Sequence, residues 1–88
     1  MTRHVLKVDF KYANAILNGK KSFEVRKNDR NFMVGDEVVF KVLIDKGSYA
    51  GAEAAHPLNR IVYRIDYVLN NFEGLAQKYV AFSISREG

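Results

Sequence analysis

The segment "GKKSFEVRKNDR", residues 19–30, gathers the side chains of this sequence best suited to chemistry. Lys20, Lys21, Arg26, Lys27 and Arg30 stand against Glu24 and Asp29, a local charge of +3 (five minus two) in a chain of net charge +4. An arginine on a strand can fork onto a phosphate or a carboxylate, and strands hold such groups more accurately than loops do. The carboxylate of Glu24 can accept hydrogen bonds from the amino group or ring N–H of a base, or act as a general base. It also shares a strand face with Arg26, about 7 Å away along the backbone, so a structural ion pair competes with both roles and can coexist with them. Neither His4 nor His56 belongs to a motif that would supply a catalytic partner, and both are expected at the surface.

Composition narrows the classes of function. The chain has 88 residues, enough for a single domain over residues 1–88 with one compact core. It has no cysteine, which removes thiol nucleophiles, disulfides and thiolate zinc sites and agrees with a reducing compartment. No apolar run approaches the roughly 20 residues of a membrane span, and "MTRHVLKVDF" lacks the apolar stretch of a signal peptide, so the expectation is a cytoplasmic protein with no membrane partner. No residue pattern calls for a metal or any other cofactor. Because most of the positive charge is local, the expected partner is an anion, RNA or a nucleotide.

The elements that must position these groups follow from periodicity. "HVLKVDF" alternates His4, Leu6 and Val8 against Val5, Lys7 and Asp9, a short strand, with Asp9 able to cap a following helix. Phe10, Ala13 and Leu17, with Tyr12 and Ile16 beside them, make one apolar helix face, and Gly19 supplies the left-handed stop. Lys20 then lies where the helix dipole favours a cation. In "KSFEVRK" the alternation assigns Phe23 and Val25 to the core and Ser22, Glu24 and Arg26 to the other face, with a turn at Asn28 and Asp29. Lys21 has the opposite parity from Glu24 and Arg26, and joins them only if it belongs to the connection between helix and strand.

"MVGDEVVFKVLI" reads as a turn and a strand with Val38, Phe40, Val42 and Ile44 on one face; Val39 and Leu43 make the second face partly apolar. Residues 45–59 form the longest expected loop, and its Tyr49 is a candidate for stacking on a base. In "RIVYRIDYVL" a strand places Ile61, Tyr63, Ile65, Tyr67 and Leu69 in phase, so both tyrosines are expected in the core, and "YVAFSIS" is the closing strand. Five strands and one main helix near the N-terminus give an α+β, mainly β fold, a small closed or nearly closed barrel.

The octet "GKKSFEVR" fits the pattern Gly-x-Lys-x-x-Glu-x-Arg through Gly19, Lys21, Glu24 and Arg26, and so resembles the signature of the ASCH domain, named after activating signal cointegrator homology. "FEVRKNDRNFMVGDEVVF" and "GLAQKYVAFSI" extend the likeness over nearly the whole chain, toward a small bacterial and phage branch of unknown function. The resemblance implies a PUA-like β-barrel whose helix leads into the signature strand, with a cleft there that binds RNA or a nucleotide. One branch of the family hydrolyses acylated cytidines with a lysine at the position of Lys21 and a threonine at that of Glu24. A carboxylate cannot serve as a hydroxyl nucleophile, so here an enzyme would need Lys21 and Glu24 as a different acid–base pair.

The expectation is therefore a non-enzymatic RNA- or nucleotide-binding module that uses Lys21, Glu24, Arg26, Lys27, Arg30 and Tyr49. The alternatives are a small amidohydrolase on acylated nucleosides, which needs a narrow enclosed pocket, and a protein-interaction accessory domain that makes contact through "YAGAEAA", residues 49–55.

Overall fold

In the computed structural model, which describes residues 1–44 and 52–88, five strands and one helix follow in the order β1 (Arg3–Asp9), α1 (Phe10–Leu17), β2 (Phe23–Lys27), β3 (Glu37–Leu43), β4 (Val62–Asn70) and β5 (Tyr79–Arg86). A single turn of 3-10 helix, Pro57–Arg60, precedes β4. The strands form one sheet in the spatial order β1-β3-β4-β5-β2, parallel between β1 and β3 and antiparallel elsewhere. The sheet curls into a half-barrel around a core that includes Leu6, Val8, Val38, Phe40, Val42, Tyr63, Ile65, Val80, Phe82 and Ile84. The helix follows β1 instead of preceding the sheet. Asp9 caps it by accepting from the Lys11 N–H, and Ala13 and Ile16 are its buried residues, while Phe10 and Tyr12 remain exposed.

The expected loop over 45–59 is partly ordered within its described part. The backbone N–H of Ala54 donates to Val42 O and that of Ile44 to Ala52 O, so residues 52–54 continue the pairing of β3 where β4 leaves it. Asn59 fastens this segment, accepting from Val42 N–H through Oδ1 and donating from Nδ2 to Ala54 O. Tyr49, with residues 50 and 51 of the expected contact segment, lies outside the described residues.

Four expectations about burial are overturned. Phe23 and Val25 are not core residues; each is 50% exposed, and β2 turns Glu24 inward instead. The alternation is real, but alternation alone does not say which face is in, and the ion pairs described below supply the reason. Tyr67 is 64% exposed although it is in sequence phase with the buried Tyr63 and Ile65, because the β4–β5 register shifts between Ile65 and Tyr67. That bulge flips the side-chain parity of the rest of β4, and Val68 then packs against the core. Ile44 falls past the end of β3 and is exposed.

His4 is the fourth: it is buried, on the same inward face as Leu6 and Val8. Its Nε2 lies 2.9 Å from Asp36 Oδ2, and its ring packs at 4.6 Å from that of Phe32. Asp36 also accepts from the backbone N–H of Thr2 and Met33, so one carboxylate pins the turn before β3 to the start of β1. Burial pushes the Asp36 carboxyl upward and is the largest single influence on its pKa. The His4 hydrogen bond, the two backbone donors and the His4 charge together outweigh it, so the pKa falls below its ordinary value. A depressed carboxyl stabilises the fold above its unfolded-state pKa and loses that contribution as pH falls through the folded value. Asp36→Asn should therefore be less stable than the parent at pH 7, and the gap in urea midpoint should close as the pH is lowered past about 4.

Candidate functional site

The parity of β2 creates the site. Glu24, 4% exposed, points into the space between the two free sheet edges, β1 and β2. Its two carboxylate oxygens are taken by different cations: Oε1 accepts from Lys21 Nζ at 2.8 Å and Oε2 from Arg26 Nε at 2.9 Å. A buried carboxylate without such partners would cost several kcal/mol, on the order of the penalty for any unpaired buried ion. With both oxygens engaged, the inward turn of Glu24 is the favourable register and the apolar Phe23 and Val25 are displaced outward.

Lys21 reaches Glu24 because it precedes β2. Gly19, at φ 81°, ends the helix, and the Lys21 N–H donates back to Ala15 O at 2.9 Å, which holds the lysine in the connection and not in the strand. Its Nζ also donates to Phe23 O at 2.9 Å and sits 5.0 Å from the Phe23 ring centroid and 5.8 Å from that of Tyr12. Distances of this size are within the range of cation–π attraction. Arg26 also reaches across the gap, and its Nη2 donates to Lys7 O on β1 at 2.8 Å. Arg30, four residues on, repeats the device two residues back along β1, donating from Nη1 to Val5 O at 2.6 Å. Strands β1 and β2 exchange no ladder hydrogen bonds, so these two guanidinium groups lace the seam that a closed barrel would fill with backbone pairing.

At one end of this seam lies an open cleft of about 520 Å³. Lys21, Glu24 and Arg26 line it together, with Lys7, Lys11 and Tyr12 on the opposite wall and Phe23 and Val25 at the β2 edge. Asp9 also lines it, so the charge count is four cations against two carboxylates. Lys11 Nζ lies 5.1 Å from the Tyr12 centroid. Arg30 is committed to the seam, Lys27 projects from the outer face of β2, and Tyr49 is outside the described residues; none of these three lines the cleft.

Lys7, Lys11 and Tyr12 are site residues that sequence reasoning does not single out. Strand alternation and the apolar helix face account for them locally, and only the folding of β2 against the β1–α1 junction makes them a wall. His56 has a structural role: Nδ1 accepts from Leu58 N–H, which leaves Nε2–H to donate to Asn14 Oδ1 at 2.8 Å and ties the 3-10 turn to α1. Among the described residues, no group of three or more His, Cys, Asp or Glu side chains comes together that could hold a metal ion. No described helix is long and apolar enough to cross a membrane.

Arg26 joins both halves of the seam, and its loss strands one oxygen of a buried carboxylate and one strand carbonyl. Arg26→Ala should destabilise the fold by about 2–4 kcal/mol in urea denaturation. Lys21→Ala should cost less, since Glu24 then keeps its arginine. Arg26→Lys should rescue only part of the loss, because one ammonium does not reproduce the fork that spans Glu24 and Lys7 O.

No curated protein matches the chain. The family model described as a domain of unknown function (DUF3850) matches residues 3–84, from the first residue of β1 into β5 and across both walls of the cleft, and the chain belongs to that family.

Proposed function

We propose that the cleft between β2 and the β1–α1 junction binds the phosphate and base of a nucleotide or an RNA residue. The observation that carries this reading is the Glu24 clamp, which holds Lys21 and Arg26 in an open cleft beside two accessible rings. Preorganised cations offer charge to a phosphate without the entropy cost of ordering two long side chains at the moment of binding. Tyr12, 45% exposed, and Phe23 supply faces for a base, and such rings are sequence-tolerant stacking partners. Glu24 uses one acceptor site of each oxygen for its cations and retains lone pairs that can accept from an amino group. The likeness of Gly19, Lys21, Glu24 and Arg26 to the ASCH signature supports the same reading by similarity, and with it a PUA-like barrel.

The hydrolase alternative draws on one observation, the 2.8 Å contact between Lys21 and Glu24, which is the spacing of an acid–base pair. The open cleft favours binding over turnover, since hydrolysis of a nucleoside amide calls for a pocket that surrounds the scissile group.

Binding of a short labelled RNA, followed by fluorescence anisotropy, tests the proposal. Affinity should fall as salt rises, with a slope of about −0.7 per phosphate contact. Lys11→Ala, a change at an exposed helix position, should weaken binding and flatten that slope while leaving the melting temperature near the parent's. A salt-independent affinity, or no binding at low salt, overturns the phosphate contact. Release of free acid from an acylated cytidine that is lost in Lys21→Ala would move the assignment to the hydrolase.

A further inference from the structure

A second concavity, of about 480 Å³, lies between the β4–β5 connection and the end of β2. The amide side chains of Asn28, Asn70, Asn71 and Gln77 line it, with the rings of Phe72 and Tyr79. Phe72 is 58% exposed and Tyr79 41%, so neither ring is accounted for by the core. Asn28 locks the connection onto β2: its N–H donates to Lys78 O at 2.8 Å, and its Oδ1 accepts from Phe32 N–H. Amides beside accessible rings are the chemistry that reads the edges and faces of unpaired bases.

The two concavities are joined by one face of the sheet. Strand pairing sets Phe23 beside Ser83, Val25 beside Ala81 and Lys27 beside Tyr79, and Tyr67 and Leu69 of β4 flank Ser83 and Ala81 from the other side. Residues directly paired across strands point to the same side, so Phe23, Val25 and Lys27 share one outer face with Tyr67 and Tyr79. Phe23 and Val25 border the first cleft, and Tyr79, the partner of Lys27, borders the second. From Phe23 to Lys27 is about 13 Å along the strand, further than one nucleotide seated in either concavity extends. None of these strand positions carries a carboxylate, and in the second concavity Glu73 is offset by Lys78. Between the concavities the face carries exposed rings and Lys27, with Asp66 exposed at the bulge beside Tyr67, and it runs into the cleft that holds four cations against two carboxylates. Rings and amides leading out of a cationic cleft suit a polyanion whose bases are free to stack.

We propose that a single-stranded polynucleotide lies along the outer face of β2, with one residue in the Glu24 cleft and another against Phe72 and Tyr79. This rests on the nucleotide reading of the cleft and makes the ligand a strand of several residues, not a mononucleotide. The amides at the second concavity contact base edges, and Lys27 contacts the backbone between the two sites.

Anisotropy with labelled oligouridylates of two, four and eight residues, beside uridine monophosphate measured by calorimetry, tests the track. The octamer should bind at least about tenfold tighter than the dimer, and Phe72→Ala should lower octamer affinity roughly tenfold while leaving the monophosphate unchanged. Lys27→Glu, at an exposed strand position, should weaken the octamer without lowering the melting temperature, which guards against a misfolded Phe72 variant. Equal gain with oligodeoxythymidylates supports the same track for either sugar. If the monophosphate binds but affinity does not grow with length, or if both variants bind the octamer as the parent does, the track is wrong and the cleft stands. Binding of neither ligand removes both. A dimer in sedimentation that Phe72→Ala dissolves, with no gain from length, assigns the face to a second copy and overturns the proposal.

Discussion

The structure depends on where one carboxylate is put. Glu24 is buried in the gap between the two free edges of a half-barrel, and it stays there because Lys21 and Arg26 each take one of its oxygens. From that placement follow the outward turn of Phe23 and Val25, the approach of β2 to β1 through the Arg26 bond to Lys7 O, and the cation-lined cleft at the end of the seam. Hydrophobicity alone favours the opposite register, with phenylalanine and valine inside. The preference is reversed because a strand flip would carry Glu24 outward together with Arg26, break the Lys21 contact, and withdraw the guanidinium that bridges the seam.

The same constraint explains the open side of the sheet. A five-stranded sheet in the order β1-β3-β4-β5-β2 has two edges that must be protected, and here the edges are turned toward each other. Backbone pairing between them would close the barrel but leave no cleft. Side chains from β2 and the following turn reach carbonyl oxygens of Val5 and Lys7 instead, which shields the β1 edge and leaves the cleft open at the end of the seam. At the other end of β1, the buried His4 and Asp36 contact holds the strand to the turn that starts β3, so the wall of the cleft is anchored at a distance from it.

Much of the fold is legible in the sequence. The order of five strands and one helix, the Asp9 cap and the Gly19 stop all follow from periodicity and end signals, and they appear where those signals lie. What periodicity cannot give is the sign of a face. "FEVRK" alternates whichever side is inward, and the deciding influence, two cations spaced at −3 and +2 around Glu24, is an electrostatic one that hydrophobic phase does not register. Tyr67 escapes its sequence phase because a bulge shifts strand parity without leaving a turn residue to mark it. His4 is the converse case: its phase with Leu6 and Val8 already places it inside, and only its residue type argues it out. Of the site, Glu24 and Arg26 are legible from their shared strand parity and Lys21 only from the likeness of the octet, whereas Lys7, Lys11 and Tyr12 come from a different part of the chain and meet them only in three dimensions.

Residue-resolved amide shifts in a ¹H–¹⁵N NMR titration with a short single-stranded RNA give the most direct measurement of whether the Glu24 clamp builds a nucleotide site. The expected result is saturable movement of the Lys7 to Tyr12 and Lys21 to Arg26 amides, with the backbone around His4 and Asp36 unmoved. Saturable movement confined to other surfaces, or no movement at ligand excess, would contradict it.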